Sequence, residues 1–154
     1  MKIVLEANMV DECYEYLMHQ NSFTNVVREV PFLSRCIDMV MVTQENETIT
    51  VEFKIKNWRH ALEQVKSHKL GADRAYICLP IKKPSEGLLN ALIKEHVGLY
   101  LYSPDNQETM YEYLPAPSNS SKVEALLLYY MKKLAILQKA VWHKIKLSVK
   151  VSII

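Results

Sequence analysis

One acidic residue, Asp38, stands within an otherwise apolar run, and two further ionisable residues, Glu52 and Lys54, stand in an alternating run at 48–55. Burying a carboxylate is costly unless it is paired, hydrogen-bonded or bound to a metal. Side chains two residues apart in a strand leave the same face, so Glu52 and Lys54 are expected to project together. This spacing favours a functional site over simple packing.

Pairing of the two runs through a polar turn at 44–47 would bring Asp38 near Glu52. Two carboxylates and a backbone carbonyl form an oxygen site suited to Mg²⁺ or Mn²⁺. A metal of this kind polarises a phosphodiester and helps to generate hydroxide. Lys54 would orient the attacking water, lower its pKa or neutralise charge in the transition state. The chemistry predicted is metal-assisted hydrolysis of a phosphodiester.

Local patterns predict the elements that must position these residues. Apolar residues at three- and four-residue steps indicate helices, whereas alternation or short continuous apolar runs indicate strands. The predicted helices span 8–19, 58–68, 85–96 and a long stretch from 122 to about 146. The predicted strands span 25–30, 35–42, 48–55, 75–79, 99–102 and 110–114. The first strand is expected to end before Pro31, which cannot donate to a sheet ladder.

The segments Arg35-x-Ile-Asp38 and Val51-Glu52-Phe53-Lys54 resemble the signature of the PD-(D/E)XK nuclease superfamily. The order helix, three strands, helix, strand also matches the core of that superfamily, and the likeness extends over roughly residues 3–103. The resemblance implies an α/β fold with a restriction-endonuclease-like core. It implies a central mixed sheet of four to five strands flanked by helices, and a C-terminal helix follows. By this resemblance, Asp38 and Glu52 hold the metal and Lys54 is the catalytic lysine.

Further site residues are expected on the same grounds. Many of these families add an acidic residue from the first helix, and Glu6 is the candidate for a third metal ligand, with Glu12 as a second choice. Glu29, on the preceding strand, is a possible supporting acid. Gln64 is expected to reach the catalytic site from the second helix. It begins a Gln64-x-x-x-His68 run that departs from the Gln-x-x-x-Tyr of RecB-like members.

Basic residues near the predicted site would contact nucleic acid. Lys56 and Arg59 are placed to bind the phosphates that flank the scissile one, and Arg35 is a third candidate. The histidines show no metal-ligand spacing, and His60 and His68, two turns apart on one helix, are expected to be exposed.

Chain length and charge predict a nuclease-like domain at 1–114, a linker at 115–121 and a basic helical extension at 122–154. The extension carries seven lysines and one acid, a charge of +6, whereas residues 1–121 carry twelve basic and sixteen acidic residues, a charge of −4. A basic tail on an acidic body is suited to a polyanion, and a solvated lysine face of a helix is an equally good interpretation.

No apolar run approaches the roughly 20 residues that span a bilayer, so no membrane partner is expected. The three cysteines, Cys13, Cys36 and Cys78, form no CxxC pair and suggest neither a zinc site nor a disulfide framework. A cytoplasmic setting is predicted.

The function predicted is a metal-dependent nuclease that hydrolyses phosphodiester bonds of DNA as an endonuclease, and RNA is the less favoured interpretation of its nucleic-acid partner. A catalytically inactive nucleic-acid-binding or regulatory module with the same fold is the alternative, and dimerisation through the C-terminal helix is compatible with both. A simpler interpretation also stays open: Glu52 and Lys54, with Thr50 and Lys56, would line the solvent side of a half-exposed strand.

Overall fold

One mixed sheet of six strands, flanked by three helices, makes up the computed structural model, which describes residues 5–119. The helices are α1 (Glu6–Met18), α2 (Trp58–His68) and α3 (Glu86–Lys94). The strands are β1 (Phe23–Phe32), β2 (Arg35–Thr43), β3 (Thr48–Phe53), β4 (Arg74–Leu79), β5 (Gly98–Tyr102) and β6 (Met110–Leu114). These elements agree in kind and order with those predicted up to residue 114.

The strands lie in the sheet in their sequence order, from β1 to β6. Strands β1, β2 and β3 are joined by short turns and are antiparallel, and the β2–β3 turn contains Asn46 with a positive φ of 64°. Strands β3, β4 and β5 are parallel, with α2 and α3 as the crossovers that parallel pairing requires. Strand β6 returns antiparallel to β5.

Apolar layers cover both faces of the sheet centre. On one face, Met9, Cys13 and Leu17 of α1 pack in a cluster with the apolar residues of β3. On the other face, apolar residues of α2 and α3 pack in a second cluster against β4 and β5. All six residues of β3 are buried. The interpretation of β3 as a half-exposed strand with Glu52 facing solvent is therefore wrong, because α2 covers that face.

Three details differ from the sequence-based expectations. The sheet has six strands rather than four to five, because β1 and β6 both pair at its edges. Strand β1 continues through Pro31, which an edge strand tolerates because its outer N–H groups need no partner. Helix α1 begins at Glu6, two residues earlier than the predicted start.

Residues 115–119, the first part of the predicted linker, lie against the start of β4. The Ala116 N–H donates to the hydroxyl oxygen of Tyr76 at 3.2 Å, and the Asn119 N–H donates to the carbonyl of Asp73 at 2.7 Å. The predicted basic helical extension at 122–154 falls outside the described residues. Within 5–119, no helix is both long and apolar enough to cross a membrane.

Candidate active site

Strands β2 and β3 bring Asp38 and Glu52 side by side. The antiparallel register pairs Met39 with Val51, so the next positions outward are Asp38 and Glu52. Their carboxyl groups hydrogen-bond each other. Oδ2 of Asp38 also accepts the backbone N–H of Phe53 at 2.8 Å, which anchors this carboxylate to the end of β3. The two acids singled out from the sequence thus meet at one end of the β2–β3 hairpin.

Burial makes the charged form of this carboxyl pair unfavourable. Glu52 is 5% exposed, and burial together with the neighbouring Asp38 raises the pKa of Glu52 to about 8. Burial also raises the pKa of Asp38, against the opposing effect of the Phe53 N–H. Two adjacent carboxylates cannot both ionise cheaply in such surroundings. Near neutral pH the pair therefore holds a proton or requires a cation.

Lys54 and Glu6 lie within electrostatic range of both carboxyl groups. The positive charge of Lys54 lowers the pKa of Asp38 and of Glu52, and the negative charge of Glu6 raises both. Lys54 directly follows β3, where its backbone N–H donates to the carbonyl of Cys78 at 3.1 Å. Glu6 is exposed at the first turn of α1. Charges from the start of α1 and from the residue after β3 thus act on the carboxyl pair.

The donor set of Asp38 and Glu52 fits a divalent cation that prefers oxygen ligands. The adjacent carboxyl groups raise each other's cost of ionising and therefore gain from any positive charge placed between them. Residues 5–119 contain no group of three or more His, Cys, Asp or Glu side chains arranged as a metal site. The fit therefore rests on two carboxylates, with Glu6 near them but exposed.

The other two acids considered from the sequence are engaged differently. Glu12 accepts a hydrogen bond from the hydroxyl of Tyr102 and lines a cavity with Asp11. Glu29 is exposed on β1 with a positive φ of 53°, and its charge contributes to raising the pKa of Cys36. Among the acids considered from the helix and strand that precede the site, Glu6 is the one whose charge acts on the carboxyl pair.

Helix α2 contributes polar side chains to the covered face of β3. Oε1 of Gln64, Oγ1 of Thr50 and both ring nitrogens of His68 are buried and have no hydrogen-bond partner among the residues described. Nδ1 of His68 lies 3.8 Å from Oε2 of Glu52. Gln64 lies one helical turn before His68, and its role at the site stays a prediction.

His68 is the residue that sequence reasoning missed. It is 1% exposed, so the expectation that it faces solvent is wrong, whereas His60 is exposed as expected. Burial, with a smaller effect of the Arg35 charge, lowers the pKa of His68 to about 4, which keeps the imidazole neutral. The sequence did carry a signal for this position: His68 lies one helical turn after Gln64, and residues four apart share a helix face.

The three basic candidates lie on the surface. Arg35 is exposed at the start of β2, close enough for its charge to act on His68. Lys56 is exposed between β3 and α2. Arg59 is exposed in the first turn of α2, and its guanidinium lies 4.4 Å from the ring centroid of Trp58. All three remain accessible to a polyanion.

Comparison with known proteins gives likeness in structure without likeness in sequence. No family model matches the chain, and no curated protein matches it. The SPO1766 protein of unknown function from Silicibacter pomeroyi aligns with a TM-score of 0.64 at 13% identity, over 94% of each chain. A repair endonuclease from Pyrococcus abyssi aligns with a TM-score of 0.52 at 23% identity, over 68% of this chain and 49% of that one.

An EndoMS–dsDNA complex aligns with a TM-score of 0.49 at 17% identity, over 70% of this chain and 49% of that one. EndoMS in its apo form aligns with the same TM-score at 18% identity, over 69% of this chain and 49% of that one. The present chain spans about half the length of these endonucleases. The likeness to the Pyrococcus abyssi enzyme shows the fold, an α/β domain of the endonuclease type, and at 23% identity it shows the fold alone.

Proposed function

We propose that this protein is a divalent-metal-dependent nuclease that hydrolyses phosphodiester bonds of DNA, and that it acts as an endonuclease. The observation that carries the proposal is the contact between the Asp38 and Glu52 carboxyl groups, with Lys54 in electrostatic range of both. An endonuclease-type fold around this set supports it.

Asp38 and Glu52 would hold Mg²⁺ or Mn²⁺, with Glu6 as a further acid from α1. When bound, such an ion polarises the phosphodiester and lowers the pKa of water. The Phe53 N–H holds the Asp38 carboxylate in place through the 2.8 Å hydrogen bond, so this ligand is oriented before any metal arrives. Such preorganisation by neighbouring groups is typical of metal ligands.

Lys54 supplies the positive charge that the substrate needs. Its ammonium group acts on both carboxyl groups, so a phosphate bound there would also lie within its field. A cation beside the phosphate stabilises the negative charge that develops in the transition state. As a hydrogen-bond donor, Lys54 would also orient the water that attacks phosphorus while the bond to the leaving oxygen breaks, without a covalent intermediate.

Arg35, Lys56 and Arg59 would hold the phosphates that flank the scissile bond. All three are exposed, and Lys56 and Arg59 follow β3 directly in the chain. Contacts to phosphates position a nucleic acid without reading its sequence. This arrangement favours binding along a nucleic-acid backbone, and Gln64 would complete the catalytic site from α2.

A plasmid-nicking assay tests the proposal. Supercoiled DNA, single-stranded DNA and a matched RNA are incubated with the full chain and Mg²⁺ or Mn²⁺, with EDTA as the metal-free control. Nicking of DNA is expected for the wild type, and its loss is expected in Asp38→Asn and in Lys54→Met. The exposed variants Glu45→Gln and Lys83→Met serve as controls that change the same charges elsewhere.

The outcomes separate the candidate functions. Nicking that persists in Asp38→Asn would show that another site or a contaminant cleaves the DNA, and would overturn the assignment. Salt-sensitive DNA binding by the wild type without cleavage under any metal would favour the alternative, a nucleic-acid-binding module that has lost catalysis.

A further inference from the structure

Buried polar atoms lie on the facing surfaces of α2 and β3, where His68 of α2 comes within 3.8 Å of Glu52 of β3. We call this group the α2–β3 polar cluster, and its members are Thr50, Glu52, Gln64 and His68. Five of its side-chain atoms are buried without a hydrogen-bond partner among the described residues. These atoms are Oγ1 of Thr50, Oε2 of Glu52, Oε1 of Gln64, and Nδ1 and Nε2 of His68. Orphaned buried polar atoms are rare, and each costs about 1–3 kcal/mol, so the cluster calls for an explanation.

Secondary structure brings these side chains together. Thr50 and Glu52 are two apart on β3 and share the face that α2 covers. Gln64 and His68 are four apart on α2 and share a helix face. The rest of the α2 contact surface is apolar, which makes the polar cluster an exception within a hydrophobic layer. Packing alone would be better served by apolar residues at these positions.

The imidazole of His68 and the inner oxygen of Glu52 face each other without bonding. Nδ1 of His68 and Oε2 of Glu52 are 3.8 Å apart, beyond the usual N–H···O range of up to roughly 3.2 Å. Both atoms are buried and neither has another partner in the part of the chain that is described. A small rotation of the His68 ring would close the gap, because neither ring nitrogen has a hydrogen bond to a described residue that opposes it.

The two facing atoms supply the reason for closure, because a single hydrogen bond would satisfy both of them. Hydrogen bonds at catalytic sites are often long before ligand binds and shorten in the complex. Oε2 of Glu52 has no other donor among the described residues, so the Nδ1 side of the imidazole is the donor placed to reach it.

We infer that His68 is a positioning residue whose Nδ1–H donates to Oε2 of Glu52 and thereby aims the other carboxyl oxygen at the metal. This inference rests on the proposed function. Direct metal coordination by His68 fits less well, because both ring nitrogens are buried inside the α2–β3 polar cluster, whereas Asp38 is only half-buried and borders solvent. Loss of such a supporting contact typically weakens metal binding by roughly 10- to 100-fold.

The test measures metal binding rather than cleavage. Isothermal titration calorimetry with Mn²⁺ compares the full-length wild type with His68→Phe, which keeps a ring but removes both nitrogens. His68→Asn is the conservative variant, because its amide nitrogen occupies about the place of Nδ1 and donates a hydrogen bond. His60→Asn, on the exposed side of the same helix, is the control. Circular dichroism checks that each variant is folded.

We expect His68→Phe to bind Mn²⁺ about 10- to 100-fold more weakly than the wild type, and His68→Asn to recover most of the loss. Equal affinity of wild type and His68→Phe would overturn the inference and leave the proposed function standing. An Asn variant as weak as the Phe variant would overturn it too, since packing would then explain the effect. A wild type that binds no metal would overturn the inference together with the proposed function.

A second measurement needs no variant. In the wild type loaded with Mg²⁺, nitrogen-15 NMR of the imidazole reports which ring nitrogen carries the proton. The inference requires a neutral ring with its proton on Nδ1. A ring whose Nδ1 lacks a proton would contradict it, because that nitrogen would then be a metal ligand or an acceptor instead of a donor.

Discussion

Replacing Glu52 with glutamine is expected to stabilise the metal-free protein at alkaline pH. Glutamine has nearly the same shape, carries no charge and offers an N–H donor to the carboxylate of Asp38, which hydrogen-bonds residue 52. The substitution therefore removes the cost of ionising a buried carboxyl group and keeps the packing of β3. Glu45→Gln, in the exposed β2–β3 turn, makes the same chemical change where burial plays no part.

The pKa values give the magnitude and the sign. The pKa of Glu52 is about 8 in the folded protein, against an ordinary value of 4.5 that applies when the chain is unfolded. Because the folded value is raised, the proton on Glu52 contributes stability fully below pH 4.5, and this contribution is lost as the pH rises through about 8. At roughly 1.4 kcal/mol per pH unit, the whole contribution is on the order of 5 kcal/mol.

The window from pH 6.5 to about 8.5 isolates this effect from that of His68. The pKa of His68 is lowered from 6.5 to about 4, so its neutral form contributes stability that is full above pH 6.5 and lost below it. Above pH 6.5 the change in the free energy of unfolding with pH comes mainly from the carboxyl pair. The free energy of unfolding of the wild type should fall by about 2 kcal/mol across the window.

Urea denaturation followed by circular dichroism measures the free energy of unfolding at pH 6.5, 7.5 and 8.5 in EDTA. The free energy of unfolding should fall equally with rising pH in the wild type and in Glu45→Gln, while that of Glu52→Gln should change little. Saturating Mg²⁺ should reverse the trend in the wild type, since the metal binds the deprotonated carboxylates of the folded state. A wild type whose stability is flat or rises with pH would refute the reasoning, as would a Glu52→Gln variant that declines in parallel.

Three further predictions follow from other parts of the structure. Lys54→Met should reduce kcat for plasmid nicking roughly a hundredfold or more with little change in DNA affinity. Lys54→Arg should retain part of the rate, and equal rates for Lys54→Met and the wild type would contradict the role of Lys54. Lys56→Gln and Arg59→Gln should each lower the slope of log affinity against log salt by about 1 in fluorescence-anisotropy titrations, uniformly across DNA sequences. Gly98→Ala should lower the free energy of unfolding by about 2 kcal/mol or more in thermal denaturation, because a Cβ there overlaps the ring of Tyr76 and lies 2.7 Å from a backbone nitrogen.

Much of the fold could be predicted because its elements are encoded locally. Apolar periodicity placed α2 at residues 58–68 as observed, and alternation placed β3 within two residues of its observed end. The polar turn at 44–47 joins β2 and β3 directly, so the register that sets Asp38 beside Glu52 needed little beyond counting residues. A side-chain contact across a short hairpin is nearly a local property.

Long-range packing determined what could not be predicted from local patterns. The edge position of β1, which tolerates Pro31, depends on which strands pair in the sheet. The burial of His68 depends on which face of α2 meets β3, and the pattern of α2 alone left that residue at the border of its apolar stripe.

The amino-acid sequence by itself determined that two acids lie on neighbouring strands with a lysine close after the second acid, because alternation and a short turn act within about 20 residues. Only the tertiary structure decided that α2 closes over β3, which removes Glu52 from water, raises its pKa and sets His68 behind it. Desolvation arises from every element packed around a group, so no spacing along the chain reveals it.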